Sequence, residues 1–260
     1  MSIVPLDNLS VFSIFIGTFV FILVVFEIGY QIGKHFRSYG ENKNDTTQGP
    51  MVGGVMTMLV FVLAFIFSMS ASRFDDRKMN LLYEVNAITS AYLRADVLAQ
   101  PRRTEIKRLL REYVNIRLQA IEENNIEMGI TKSIELQQRL WSLVTEVEQQ
   151  NLNALNPMLI RSVNNMITLH ERRVDAAIRD RIPGNIWFTL FAIMAFSMLT
   201  IGTQTGLIKT RRLIQVVPAV LALTALITLV VDLDRPSQLG QIKIDQGAMI
   251  DLQKRMNQAK

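Results

Sequence analysis

Hydrophobic positions gather into four long runs, at about residues 9–32, 52–69, 186–205 and 213–231. They stand two and two around a polar stretch of about 115 residues. Each run is long enough to cross roughly 30 Å of hydrocarbon at about 1.5 Å per residue. Charges nearly vanish inside them, with Glu27 near the end of the first as the main exception. A helix satisfies its own backbone in lipid, so the pattern predicts four spanning helices. That narrows function to transport, conduction, signalling or scaffolding.

The polar middle also has a helical period. No Gly or Pro occurs from Ser72 to Val97, and Leu82, Val85, Ala91, Tyr92 and Ala95 keep an approximate stripe. The second span is therefore expected to run on into water as one long helix, with a break at Pro101. A helix over about 103–124 follows, with Ile106, Leu109, Leu110, Tyr113, Ile116 and Ala120 on one face. Asn124, Asn125 and Gly129 punctuate. Thr131 is a candidate cap for a third helix bearing Ile134, Leu140, Trp141, Val144 and Val147. Asn156-Pro157 breaks it, and a fourth helix over about 158–181 returns to the bilayer. Pro183-Gly184 separates it from the third span, where Trp187 is placed at the interface. The tail has a candidate extended piece at 242–244, then an amphipathic helix with Met249, Leu252 and Met256 on one side.

No segment alternates with period two over strand length. The expected fold is all-α: four transmembrane helices with a helical bundle between the second and third spans, both spans extending into it. The expected divisions are 1–71, a first transmembrane pair; 72–185, a water-exposed bundle; 186–231, a second pair; and 232–260, a tail packing on the bundle or the membrane surface.

Composition refines this. The chain has 260 residues, 49% hydrophobic, with net charge +5. Between Ser72 and Pro183 there are 17 Lys and Arg against 15 Asp and Glu. That near balance argues against a nucleic-acid surface. With no cysteine, disulfides, zinc–thiolate sites, iron–sulfur clusters and a cysteine nucleophile are excluded. The N-terminus lacks a basic region before its apolar run, so that run is expected to be a retained span. The two short loops carry Lys34, Arg37, Lys43, Lys209, Arg211 and Arg212, which favours cytoplasmic loops and an extracytoplasmic bundle. Arg73, Arg77, Lys78, Arg172, Arg173, Arg179 and Arg181 near the membrane ends of the bundle argue the other way.

Several stretches resemble a bacterial membrane family of unknown function, labelled bestrophin-like. They are Ser72-Arg73-Phe74-Asp75-Asp76-Arg77, Glu84-Val85-Asn86-Ala87-Ile88, Ala91-Tyr92-Leu93-Arg94-Ala95-Asp96, Leu109-Leu110-Arg111-Glu112-Tyr113-Val114, Arg181-Ile182-Pro183 and Asp232-Leu233-Asp234-Arg235-Pro236. Val85 departs from the alanine that family more often has after the Glu. The resemblance implies an oligomeric protein of the bacterial inner membrane and brings no established activity. Bestrophins themselves are pentameric anion channels with four spans and a large helical region after the second. This chain shares that layout without their motifs. Flagellar-stator subunits share the two-plus-two layout as well, and layout alone does not choose between functions.

Thr57, Phe61, Phe65 and Met69 line one face of the second span at every fourth position. Around a shared axis they would form a hydrophobic constriction, as in the narrow part of bestrophin pores; otherwise they face lipid or a neighbouring helix. Glu27 is an ion or proton site, or an interfacial carboxylate paired with Lys34 or Arg37. Asp232 and Asp234 are a candidate cation-concentrating ring at a mouth, or partners of Arg73, Arg77 or Arg235. Thr200, Thr203, Gln204 and Thr205 are ion ligands or bond back to their helix, and Pro218 is a candidate kink. Arg73, Arg77, Glu84, Asn86, Arg94, Asp96 and Arg235 read as a structural polar network, with Glu84 or Asp96 paired to Arg94, Arg108 or Arg111.

An enzyme is not expected, and neither a catalytic residue, a metal nor a cofactor is assigned. His170, Glu171 and Asp175 give only a thin metal hint. The first expectation is an oligomeric ion channel or channel-like protein gated on the second span. The alternative is a non-conducting sensor or scaffold whose bundle binds a partner. A proton-driven motor subunit would have to use Glu27. Expected partners are the lipid bilayer, further copies of the chain and small inorganic ions, with no nucleic acid.

Overall fold

The helical period of the sequence is realised over most of the described residues. The computed structural model describes residues 9–39, 48–150, 156–208, 213–235 and 240–258. The helices are α1 (Val11–Tyr39), α2 (Gln48–Arg94), α3 (Arg102–Glu122), α4 (Ile126–Gln150), α5 (Asn156–Ile178), α6 (Gly184–Leu207), α7 (Leu213–Asp234) and α8 (Gly247–Gln258). A 3-10 turn, Ala95–Val97, extends α2. No strand occurs among the described residues, and 242–244 is irregular rather than extended into a strand. Lys43, Lys209, Arg211 and Arg212, on which the loop-charge argument leans, lie outside the described residues, as does Pro236.

Four helices are long and apolar enough to cross a membrane: α1, α2, α6 and α7. α2 carries the second apolar run and the polar residues beyond it as one uninterrupted helix, as the missing Gly and Pro predict. Its start departs from expectation, because Gly49 and Pro50 fall in the first turn rather than ahead of it. Proline is tolerated there, where its missing N–H has no helical partner to lose. Unlike α2, α6 begins afresh at Gly184, after a break at 179–183.

The chain divides into two compact units. The first comprises the described residues up to 72 with 181–235 and 240–242. Its core joins Ile22, Leu59, Leu63, Ile66, Leu190, Met194, Ile227 and Val230. Trp187, placed at an interface by its type, is buried against this core. α1 and α6 run parallel and touch through Gly29 and Gly33 on one side and Gly202 and Gly206 on the other. A Cβ at Gly29 would lie 2.4 Å from the Leu199 carbonyl oxygen, and one at Gly33 2.1 Å from that of Thr203. Such small-residue contacts let two backbones approach where no hydrophobic effect drives them together. The hydroxyls of Thr200, Thr203 and Thr205 donate to carbonyls one turn back, at 2.7–2.8 Å. Pro218 lies inside α7 without ending it.

The second unit comprises the described residues of 73–180 with 243–258. The polar part of α2 packs with α3, α4, α5 and α8 around Leu81, Ile88, Ile106, Leu110, Leu140, Val163 and Met166. α3 ends on Asn124, whose φ of 52° is left-handed. The Asn125 N–H reaches back to the Ala120 carbonyl and the Asn124 N–H to that of Ile121, satisfying two terminal acceptors. Asn125 Oδ1 then accepts the Met128 N–H at 3.2 Å, so α4 starts there and not at Thr131. The inward stripe of α4 is Leu136, Leu140 and Val144, while Ile134 and Trp141 are exposed beside it. Both stripes have helical spacing, and packing chose between them. Met249, Leu252 and Met256 bury α8 in the same core, where Arg111 Nε and the Tyr92 hydroxyl donate to the Met256 carbonyl.

Candidate functional site

Polar residues on the inward faces of α2, α3 and α5 must meet inside the second unit, and they meet on Glu84. Glu84 is fully buried. It sits on the same stripe as Leu81, Val85 and Ile88, so the packing of α2 carries it inward. The Tyr113 hydroxyl of α3 donates to Glu84 Oε1 at 2.5 Å. Arg173 of α5 donates to Oε2. Arg117 Nε, one turn beyond Tyr113, lies 3.7 Å from Oε1. His170 Nδ1 is 3.1 Å from the Tyr113 oxygen and 3.8 Å from Glu84 Oε1. Gln137 Nε2 donates to the same phenol oxygen at 3.4 Å. Because the phenol hydrogen goes to Glu84, the network assigns the His170 proton to Nδ1, donating to Tyr113. His170 Nε2 is then a buried acceptor, and it has no hydrogen-bond partner among the described residues.

Burial sets the direction of titration at Tyr113, His170 and Arg173. At Glu84 the Arg117 and Arg173 charges, with the His170 and Tyr113 hydrogen bonds, outweigh burial and hold the carboxyl well below its ordinary value. Burial pushes the Tyr113 phenol well above its ordinary value, and the Glu84 charge adds to the effect. It holds the His170 imidazole below its ordinary value, with the Arg117 and Arg173 charges acting in the same direction. It also draws the Arg173 guanidinium down, which the neighbouring Glu84 charge opposes. A neutral histidine and a protonated phenol thus surround one carboxylate shared by two guanidiniums. Their cationic edges open onto a cavity of about 580 Å³, lined also by the buried Arg77, by Lys243 and by an apolar wall including Ile126, Ile130 and Ile178.

The other members of the expected network are dispersed. Arg73 pairs with Asp180 at 3.4 Å. Asn86 is exposed. Arg94 donates to the Met158 carbonyl at 3.0 Å and to the Ser162 hydroxyl. Asp96 pairs with Lys107, and Arg108 with Glu105 and Glu112. Glu84 therefore takes Arg173 and Arg117 in place of Arg94, Arg108 or Arg111. Reading along the chain missed Tyr113, Arg117, Gln137, His170 and Arg173 as its partners. The available signal was that Tyr113 and Arg117, and His170 and Arg173, stand one turn apart on apolar stripes. The hint of a metal at His170, Glu171 and Asp175 is not assembled: no group of three such ligands gathers among the described residues.

In the first unit, the carboxylates proposed for ions hold backbone. Asp232 accepts the N–H groups of Gln241 and Ile242 at 2.9 and 3.0 Å. Asp234 accepts the Ile182 N–H at 3.0 Å and Arg181 Nε at 3.4 Å. Arg235 is buried beside them in the sequence. Glu27 is half-buried and accepts Gln31 Nε2 at 2.7 Å, while Arg37 donates to the Gly206 carbonyl at 3.0 Å. On α2, Leu59, Leu63 and Ile66 turn into the unit, and Phe61 and Phe65 stand 72% and 62% exposed on the other side. Thr57 is exposed with its hydroxyl on the Gly53 carbonyl, and Met69 is partly buried against the core.

The model of the Bestrophin-like domain matches residues 16–246. No curated protein and no solved structure matches the chain. Four apolar helices and a family match over most of its length have one meaning: the chain is a multi-pass membrane protein that belongs to the Bestrophin-like domain family.

Proposed function

We propose that the protein is an oligomeric ion channel or channel-like protein whose gate lies on the apolar part of α2. The carrying observation is the asymmetry of that helix. Leu59, Leu63 and Ile66 pack inside the protomer, whereas Phe61 and Phe65 project from it. Phenyl rings repeated around an axis by several copies would narrow a pore to a dewetting constriction. The same helix continues without a break to Glu84, so a change at the Arg117–Glu84–Arg173 cluster acts on an element that also carries the constriction. Asp232 and Asp234 are committed to backbone amides, and the gate is accordingly assigned to Phe61 and Phe65 and not to a carboxylate ring.

The chain is no enzyme in this reading and uses no cofactor. Its partners are lipid, further copies of itself and small inorganic ions. The bundle is assigned to the outside of a bacterial inner membrane, on the loop charges. Reconstitution into liposomes tests conduction: ion flux should exceed that of empty vesicles, and Phe65→Ala should raise it. No flux above empty vesicles together with an inert Phe65→Ala overturns the reading in favour of a non-conducting sensor or scaffold.

A further inference from the structure

We propose that the cavity beside Glu84 is a binding site for a small phosphate-bearing anion. The site is built in two layers. At depth, Arg77, Arg117 and Arg173 line the cavity, and Arg117 and Arg173 share the single carboxylate Glu84. Arg77 is only 5% exposed, and the Arg117 and Arg173 side chains 11% and 13%. Arg117 Nε makes no hydrogen bond among the described residues. At the rim, exposed Lys243 stands with Glu122 and Asp245. Asp245, which accepts the Gly247 N–H at 2.9 Å at the start of α8, and Glu122 together outweigh Lys243, so the excess of positive charge is confined to the deeper layer. Arg117 and Arg173 against the one carboxylate Glu84 leave positive charge in excess at depth, where water is scarce and Coulomb attraction is strong.

Planar guanidiniums suit phosphate, because they offer paired donors to its oxygens. Part of the lining is apolar, with Ile126, Ile130, Val174 and Ile178. A volume of about 580 Å³ lies within the range of roughly 300–1,000 Å³ typical of small-molecule sites. The fitting ligand is thus an organic phosphate whose apolar body rests on the isoleucines. A soluble metabolite and an anionic lipid headgroup share that chemistry. Nothing in the inference needs conduction, so it stands or falls separately from the channel reading.

The test is calorimetric titration of the full chain in neutral detergent with inorganic phosphate and with hexyl phosphate. Both should bind saturably, hexyl phosphate more tightly. Arg117→Gln should weaken hexyl phosphate about tenfold. Lys243→Glu, at an exposed rim position where folding is not at risk, should weaken it severalfold with an unchanged melting temperature and helical content. Raising salt should weaken binding to the wild type. Repetition in nanodiscs separates the sources. Loss of hexyl phosphate binding in phosphatidic acid discs, but not in phosphatidylcholine discs, assigns the site to a lipid headgroup. Binding retained in both assigns it to a soluble phosphate. Absence of saturable heat with either probe, or equal affinity in wild type, Arg117→Gln and Lys243→Glu, overturns the proposal.

Discussion

Gly202 of α6 lies against the Phe26 carbonyl of α1 with no room for a side chain: a Cβ there would stand 2.2 Å from the oxygen. Gly17, on the same α1, meets nothing within 4 Å among the described residues. Gly202→Val should therefore force the two backbones apart and cost about 1–3 kcal/mol. Gly17→Ala should change stability by less than about 1 kcal/mol. Thermal unfolding of the two variants in one detergent makes the comparison, and equal losses would refute the packing argument.

Glu84→Gln removes the one charge that Arg117 and Arg173 share. Breaking a buried pair by deleting one partner strands the other, at a cost of about 3–5 kcal/mol. Tyr113→Phe keeps the ion pairs and deletes one buried hydrogen bond, so about 1–3 kcal/mol is expected. The double variant Glu84→Gln with Arg173→Gln should recover part of the loss. Chemical denaturation followed by circular dichroism ranks the three, and a Glu84→Gln protein as stable as wild type contradicts the account.

His170 couples stability to pH. Its folded-state value is depressed, chiefly by burial, while an unfolded histidine titrates near about 6.5. The unfolded chain thus binds more protons over the interval between the two values. Stability is complete above about pH 6.5 and falls as pH drops toward the folded value, by at most about 1.4 kcal/mol per unit. Glu84, Tyr113, Arg117 and Arg173 face the ring. Glu84 is held below its ordinary value and Tyr113 is pushed well above its own, both away from that interval. The melting temperature should decline from pH 7.5 to 5.5, and His170→Gln should flatten that slope. An equal slope in both proteins sinks the assignment.

The absence of native cysteine makes single-cysteine probes clean. If the exposed phenyl face of α2 meets a second copy, Phe61→Cys in membranes should give a dimer with a bis-maleimide. Leu63→Cys, turned into the protomer, should not. Crosslinking of neither, with Phe61→Cys shown to be reactive, would place lipid on that face.

The same background reports sidedness. Ser142→Cys is exposed on α4. With the bundle outside, a membrane-impermeant maleimide should label it in intact spheroplasts. Labelling only after lysis would reverse the orientation.

Four spans, the unbroken α2, the helical middle and the α8 stripe of Met249, Leu252 and Met256 were all legible in the chain. The reason is local. Apolar runs of span length, missing Gly and Pro, and helical spacing act within one segment. Boundaries set by a competing cap were less legible, since Asn125 and Thr131 are both credible N-caps and only the left-handed Asn124 selects the first. What tertiary structure decided was pairing. Glu84 finds Arg117 and Arg173, 33 and 89 positions away, because three helices turn the same faces inward. Local spacing names which residues share a face of one helix. It does not say which faces meet, and that choice depends on packing and desolvation summed over the whole bundle. The glycines illustrate the same division: their spacing on α1 and α6 is plain in the sequence, while the contact of Gly202 with the Phe26 carbonyl exists only once the two helices lie parallel.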